Sequence, residues 1–157
     1  MKRITCCILL LSLFLTGFSQ NCEQREKKLL VISGGFSAGF IYNSYLLTST
    51  LKAGYEKKVF NKEAVNTVLT EQNRVFDNLS SMLKEVLDEN AIVDDGDKRY
   101  FEEMITAVKS LKAQAQYLSD FVLEKPDSSM EKYDKQRKLS WELISKLLGL
   151  EDNTQAK

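Results

Sequence analysis

The chain of 157 residues contains no histidine, one proline, seven glycines and three cysteines. Without histidine it lacks the side chain that most often acts as a general base or binds a metal in proteins. The di-iron sites of four-helix proteins need Glu-x-x-His motifs on facing helices, so this sequence cannot form one. We therefore expect no metal, no cofactor and no enzyme activity.

The N-terminus has the pattern of a secretory signal peptide. Lys2 and Arg3 precede an apolar run over residues 4–15, and the small residues Gly17 and Ser19 follow it. This pattern predicts a signal peptide over residues 1–19, with cleavage between Ser19 and Gln20. The mature protein is then exported and is either periplasmic or secreted.

Cleavage at this point changes both the thiol content and the charge. Cys6 and Cys7 leave with the signal peptide, so Cys22 is the only thiol of the mature chain and no internal disulfide can form. The full chain has 22 basic and 22 acidic residues, and removal of two basic residues leaves a net charge of −2. This balance provides no basic surface for nucleic acid.

Apolar residues recur at intervals of three and four, which indicates an all-α protein. We expect an antiparallel up-down-up-down four-helix bundle over residues 29–150, between a flexible segment at 20–28 and a disordered tail at 151–157. The four predicted helices cover about 33–59, 62–89, 97–123 and 129–148. Asn61 is the predicted N-cap of the second helix.

The second and third helices carry the clearest apolar stripes. In each, the main stripe follows a strict 3,4,3,4 spacing, which a helix needs in order to bury one face. The residues of the second-helix stripe are Val65, Val68, Gln72, Val75, Leu79, Met82 and Val86. Those of the third-helix stripe are Phe101, Met104, Val108, Leu111, Ala115, Leu118 and Val122.

The first helix differs from the others because residues 29–51 include no charged side chain. One hypothesis reads residues 35–39 as a G-x-S-x-G nucleophile elbow with Ser37 as the nucleophile, although no histidine is present to activate it. A second hypothesis places residues 29–51 across a membrane, with Gly35 and Gly39 forming a G-x-x-x-G helix contact.

Two further interpretations keep the first helix in a water-soluble protein. It is either the most enclosed helix of the bundle or an exposed face for a partner or a second copy. The enclosed interpretation puts Phe36, Phe40, Leu47 and Leu51 in the core. The partner interpretation rests on an uncharged, aromatic surface, which is typical of protein interfaces. Its candidate residues are Gly35, Gly39, Tyr42, Asn43 and Tyr45.

Two amides fall on or near the apolar stripes, Asn43 in the first helix and Gln72 in the second. A buried amide needs a hydrogen-bond partner, so we predict that they pair with each other and set the register of the bundle. The alternative is that they mark a small-ligand pocket. The preferred functional hypothesis is a non-enzymatic exported protein that binds itself or another envelope protein. The alternative is a membrane-associated envelope protein anchored by residues 29–51.

Overall fold

A computed structural model of the chain describes residues 2–89, 92–124 and 127–150, with side chains from Gln24 onward except at positions 26, 124 and 127. These residues form four α-helices and no strand, which confirms the all-α class. The helices are α1 (Lys2–Glu56), α2 (Lys62–Asp88), α3 (Asp95–Glu124) and α4 (Asp127–Leu147). The predicted tail at 151–157 lies outside the described residues, as do the side chains of the predicted signal peptide.

The chain divides into two compact units, residues 1–37 and residues 38–157. The first unit is the N-terminal part of α1. The second unit is a helical bundle, made of the rest of α1 together with α2, α3 and α4. Its core includes fully buried side chains of all four helices, and these are Ile41, Leu69, Phe76, Leu111, Leu118, Tyr133 and Ile144.

The first helix is longer than the sequence predicts. The prediction starts it near residue 33 and places a flexible segment at 20–28, whereas α1 is continuous from Lys2 to Glu56. Residues 20–28 are rich in Gln, Glu, Arg and Lys, which favour helix, and no proline or glycine interrupts them. The helix ends at Glu56, three residues before the predicted end.

The enclosed interpretation of the first helix is wrong in part. Leu51 is buried in the core as that interpretation expects, whereas Phe36, Phe40 and Leu47 are exposed. Within residues 38–56 the bundle covers one face of α1, so apolar residues on the other faces of that part stay in contact with solvent.

A tight turn joins α1 to α2. Lys58 adopts a positive φ of 59°, and the amides of Val59 and Phe60 donate to the carbonyl of Gly54. The ring of Phe60 occupies the space beside Gly54, so a Cβ built there would overlap a ring carbon. Asn61 then caps α2 as predicted, and its side chain accepts a hydrogen bond of 2.8 Å from the amide of Ala64.

The stripe predicted for the third helix is confirmed, because all seven of its residues are buried in α3. The stripe predicted for the second helix is wrong in part. Val68, Val75 and Met82 are exposed, whereas the buried residues of α2 are Val65, Leu69, Gln72, Phe76 and Leu83. The buried face of α2 is therefore centred on Leu69, Phe76 and Leu83, which lie beside the predicted stripe.

Polar contacts between helices mark which segments lie side by side. Ser119 Oγ of α3 donates to Asn66 Oδ1 of α2 at 2.8 Å, and Lys112 of α3 pairs with Asp77 of α2. The hydroxyls of Ser110 in α3 and Ser140 in α4 are 2.9 Å apart, and Lys146 Nζ of α4 lies 2.7 Å from Glu103 Oε1 of α3. Phe40 of α1 packs edge-on against Phe76 of α2.

Candidate functional site

An aromatic groove lies on the surface of the bundle between α1 and α4. We use this name for the cavity of about 530 Å³ lined by Tyr42, Tyr45, Leu46, Arg137, Lys138, Trp141 and Glu142. The spacing on each helix produces it. Tyr42 and Tyr45 are three residues apart on α1, and Arg137 and Trp141 are four residues apart on α4, so each pair lies on one helix face.

The aromatic rings of the groove contact one another. The ring of Trp141 is 5.6 Å from that of Tyr45 and 6.4 Å from that of Tyr42, with tilted planes in both pairs. Tyr45 is buried and Tyr42 is half-buried, whereas Trp141 is 39% exposed. The buried ring of Tyr45 therefore contacts Trp141, and part of the Trp141 ring stays accessible to solvent.

Charged groups surround these rings. Arg137 Nη1 donates to the hydroxyl of Tyr45 at 3.3 Å, which holds the guanidinium beside the rings. Lys138 and Glu142 complete the polar rim, and Leu46, 41% exposed, adds an apolar wall. This set offers stacking, a planar donor and charges of both signs. Tryptophan, tyrosine and arginine are also the residues that dominate the energy of protein interfaces.

The structure separates the five residues predicted for an interaction face. Tyr42 and Tyr45 line the aromatic groove, whereas Asn43 is exposed outside its lining. Gly35 belongs to the other compact unit. A Cβ added at Gly35 or Gly39 would meet no atom within 4 Å, so the space beside each glycine is open and no other segment packs closely against it.

The predicted pairing of Asn43 with Gln72 differs from what the structure contains. Gln72 is buried, but its Nε2 donates to the carbonyl of Ser44 at 3.0 Å. The Thr48 hydroxyl lies 3.3 Å from Gln72 Oε1 and 3.0 Å from the Ser44 carbonyl. Because successive helical residues point about 100° apart, the neighbour of Asn43 faces the bundle while Asn43 itself faces solvent.

A second polar cluster surrounds Tyr133, which is fully buried. Gln114 Nε2 donates to its hydroxyl at 3.4 Å, and Lys52 Nζ lies 5.8 Å from the ring centre. Burial raises the pKa of Tyr133, an effect that the hydrogen bond from Gln114 and the charges of Arg137 and Lys52 partly oppose. Gln114 Oε1 is buried without a hydrogen-bond partner among the described residues.

The features needed for a serine hydrolase do not come together at Ser37. Residues 35–39 lie within α1, so the strand, turn and helix of a nucleophile elbow are not formed. Among the described side chains, no group of three or more histidine, cysteine or acidic residues is placed to hold a metal ion.

Comparisons with protein-family models, with curated proteins and with solved structures found no match. The aromatic groove therefore has to be interpreted from its own chemistry. Its lysine and arginine residues and its tryptophan are not among the predicted site residues. Trp141 is the only tryptophan of the chain and lies four residues after Arg137, but this spacing does not show which helix the pair faces, so the sequence carries no local signal for the groove.

Proposed function

We propose that this chain is an exported, non-enzymatic helical-bundle protein that binds a partner through the aromatic groove. The observation that carries the proposal is the half-exposed Trp141, which packs at tilted angles against Tyr45 and Tyr42 beside a hydrogen-bonded Arg137. An accessible indole next to a preorganised guanidinium has the composition of a binding hot spot. The volume of about 530 Å³ also falls within the usual range of ligand sites, roughly 300–1,000 Å³.

The bundle in this proposal has up-down-up-down topology. Along α2 and α3, residue 66 meets 119 and residue 77 meets 112; along α3 and α4, residue 103 meets 146 and residue 110 meets 140. Numbers that rise on one helix while they fall on the next support antiparallel neighbours. The topology brings residues 42–46 of α1 beside residues 137–142 of α4.

Export is the second part of the proposal. It is supported by the basic residues, the apolar run and the small residues at the N-terminus. Intact-mass measurement of the protein recovered from osmotic shock tests it. We expect a chain that begins at Gln20, and a cytoplasmic chain that retains residues 1–19 would contradict it.

Site-specific photo-crosslinking in intact cells tests the binding proposal. A photo-reactive residue at Leu46, which lines the groove, should give a discrete adduct. The matched control is Met82 of α2, which is 64% exposed and lies outside the groove lining. A band at twice the chain mass would identify a second copy as the partner, and any other discrete mass would identify a different protein.

Trp141→Ala is the decisive variant in the same experiment. Truncation of a hot-spot residue costs about 2 kcal/mol or more, so the adduct at position 46 should fall by roughly thirtyfold or more at limiting partner. Met82→Ala should leave it unchanged. An adduct that survives Trp141→Ala, or that forms equally at position 82, would contradict binding at the groove. Circular dichroism checks that both variants keep their helices.

The second candidate function is a membrane-associated protein anchored by residues 29–51. One stretch, Lys27–Glu56, is long and apolar enough to cross a membrane by length and composition. Ile41, Ser44 and Thr48 are nevertheless buried in the bundle, so full insertion would require the bundle to open. Resistance to carbonate washing supports this candidate, and release by osmotic shock without detergent supports the groove-binding protein.

A further inference from the structure

A second cavity, which we call the turn cavity, lies where the turn between α1 and α2 meets α3. Its volume of about 620 Å³ is in the usual range of small-molecule sites. The described linings of the turn cavity and the aromatic groove share no residue. The turn cavity is lined by Tyr55, Glu56, Lys58, Val59, Phe60, Asn61 and Phe121. Three of these side chains are aromatic, and the lining also includes one acidic and one basic residue.

The fold itself fixes the three aromatic rings. Tyr55 and Phe121 are half-buried and pack against the core, with ring centres 6.0 Å apart and planes at 86°. The Tyr55 hydroxyl also donates to the carbonyl of Val122 at 3.5 Å. The ring of Phe60 lies against Gly54, where the tight turn holds it. The aromatic walls are therefore ordered before a ligand arrives, which favours binding.

Aromatic walls select a particular kind of ligand. The faces of an aromatic ring carry partial negative charge, so rings around a cavity attract a cation, and quaternary ammonium groups are recognised by aromatic cages in this way. Glu56 adds a carboxylate to the same lining. Its Oε1 lies 3.0 Å from Lys52 Nζ, and a carboxylate has a second oxygen that can face another cation.

The basic residue of the turn cavity indicates that the ligand also carries a negative charge. Lys58 belongs to the turn, where its φ is 59°, and it lines the cavity two residues after Glu56. One carboxylate and one ammonium give the described lining no net charge. A ligand with one charge of each sign complements this lining better than a simple cation does, because a simple cation is repelled by Lys58.

We propose that the turn cavity binds a small zwitterion that carries a quaternary ammonium group and an anionic group, which is the chemistry of phosphocholine. The rings of Tyr55, Phe60 and Phe121, together with the carboxylate of Glu56, bind the cation, and Lys58 binds the anion. This site goes beyond the proposed function, since it uses none of the residues of the aromatic groove.

Isothermal titration calorimetry of the full chain tests the proposal with three probes. Phosphocholine carries both charged groups, choline lacks the phosphate, and phosphoethanolamine has a primary ammonium in place of the quaternary one. We expect phosphocholine to bind about fivefold more tightly than phosphoethanolamine, because the primary ammonium loses strong hydration on entering an aromatic site. Choline should bind more weakly than phosphocholine, because it has no group for Lys58.

Aromatic substitutions test the cage directly. Phe121→Leu keeps an apolar side chain but removes the ring, so it should weaken the binding of phosphocholine and of choline about fivefold, whereas Phe121→Tyr should retain both. Phe40→Leu is the matched control, since Phe40 also forms an edge-on aromatic pair but lies outside the described lining of the turn cavity. It should leave the binding of both probes unchanged. Circular dichroism checks that each variant keeps its helices.

Charge substitutions separate the two ends of the ligand. Lys58→Gln should weaken the binding of phosphocholine about threefold and should not weaken the binding of choline. Glu56→Gln should weaken the binding of both probes, because both carry the quaternary ammonium group. An equal loss of phosphocholine and choline binding in Lys58→Gln would contradict the assignment of this lysine to the anion.

Vesicles of phosphatidylcholine identify the source of the zwitterion. Sedimentation of the chain with these vesicles, reversed by excess phosphocholine, would identify a lipid headgroup. Binding of phosphocholine without such sedimentation would identify a free molecule. The proposal is overturned if the natural chain does not bind phosphocholine at millimolar concentration, if it binds phosphoethanolamine as tightly, or if folded Phe121→Leu binds phosphocholine as the natural chain does. None of these results bears on the aromatic groove, because its residues are unchanged in every sample.

Discussion

The two parts of α1 share a lack of charge but differ in what surrounds them. In residues 38–51, six side chains at helical spacing are buried in the bundle, namely Ala38, Ile41, Ser44, Tyr45, Thr48 and Leu51. In residues 29–36, large apolar side chains are exposed on more than one face. An uncharged helical segment can thus result from burial by protein in one part and from an exposed apolar surface in the next.

The largest expected effect comes from truncating the same residue type in both parts. Ile41 is fully buried and Ile32 is 54% exposed. We expect Ile41→Ala to lower the free energy of unfolding by about 2–5 kcal/mol, because it leaves a cavity in the core. Ile32→Ala should change it by less than about 0.5 kcal/mol. Urea unfolding of the two variants checks this, and equal losses would remove the distinction between the two parts.

The polar residues of α1 provide a second contrast. Gln72→Ala removes one partner of the Ser44 carbonyl and one of Thr48, so we expect a loss of about 1–3 kcal/mol in the free energy of unfolding. Asn43→Ala, one position away from Ser44, should cost less than about 0.5 kcal/mol because Asn43 is exposed. A larger loss for Asn43→Ala than for Gln72→Ala would restore the predicted pairing of the two amides.

The burial of Tyr133 predicts a dependence of stability on alkaline pH. Burial raises the pKa of Tyr133 above its usual 10.0, so the folded protein holds the phenol proton more tightly than the unfolded chain does. This stabilisation is fully present below pH 10 and is lost as the pH rises through the higher folded pKa, with a slope of at most about 1.4 kcal/mol per pH unit.

Urea unfolding between pH 8 and pH 11 measures this slope. Tyr133→Phe should show a shallower decline above pH 10, since it lacks the group that titrates. If the variant declines as steeply as the natural chain, the slope comes from other groups and the phenol of Tyr133 does not contribute.

The smallest expected effect concerns the glycines of α1. Gly39→Ala should raise the free energy of unfolding by up to about 1 kcal/mol, because alanine favours helix and nothing lies within 4 Å of the added Cβ. Gly54→Ala should lower it, since the ring of Phe60 occupies that space. Thermal unfolding distinguishes the two signs. A loss at Gly39 would show that another helix approaches it, as the G-x-x-x-G hypothesis requires.

Much of the fold follows from local patterns. The starts predicted for α2, α3 and α4 fall within two residues of those in the structure, and Asn61 caps α2 as its sequence position predicts. The end of α4 is also predictable. Gly149 adopts a positive φ of 64°, which favours glycine, and the helix ends two residues before it.

Other features depend on neighbours that a single sequence does not reveal. In α2 two adjacent apolar stripes satisfy the helical period, and only contact with α1 and α3 decides that Leu69 and Phe76 are buried while Val68 and Val75 are not. Trp141 is 39% exposed and contacts Tyr42 and Tyr45 of α1, a helix that begins far from it in the sequence. The groove needs two helices that are distant in sequence, so no local motif predicts it.

Hydrogen–deuterium exchange along α1, measured by mass spectrometry, tests the central claim most directly. We predict that amides of residues 41–56 exchange only through opening of the bundle. Those of residues 29–36 should exchange quickly, because their side chains are exposed. Uniform protection along α1 would contradict the account.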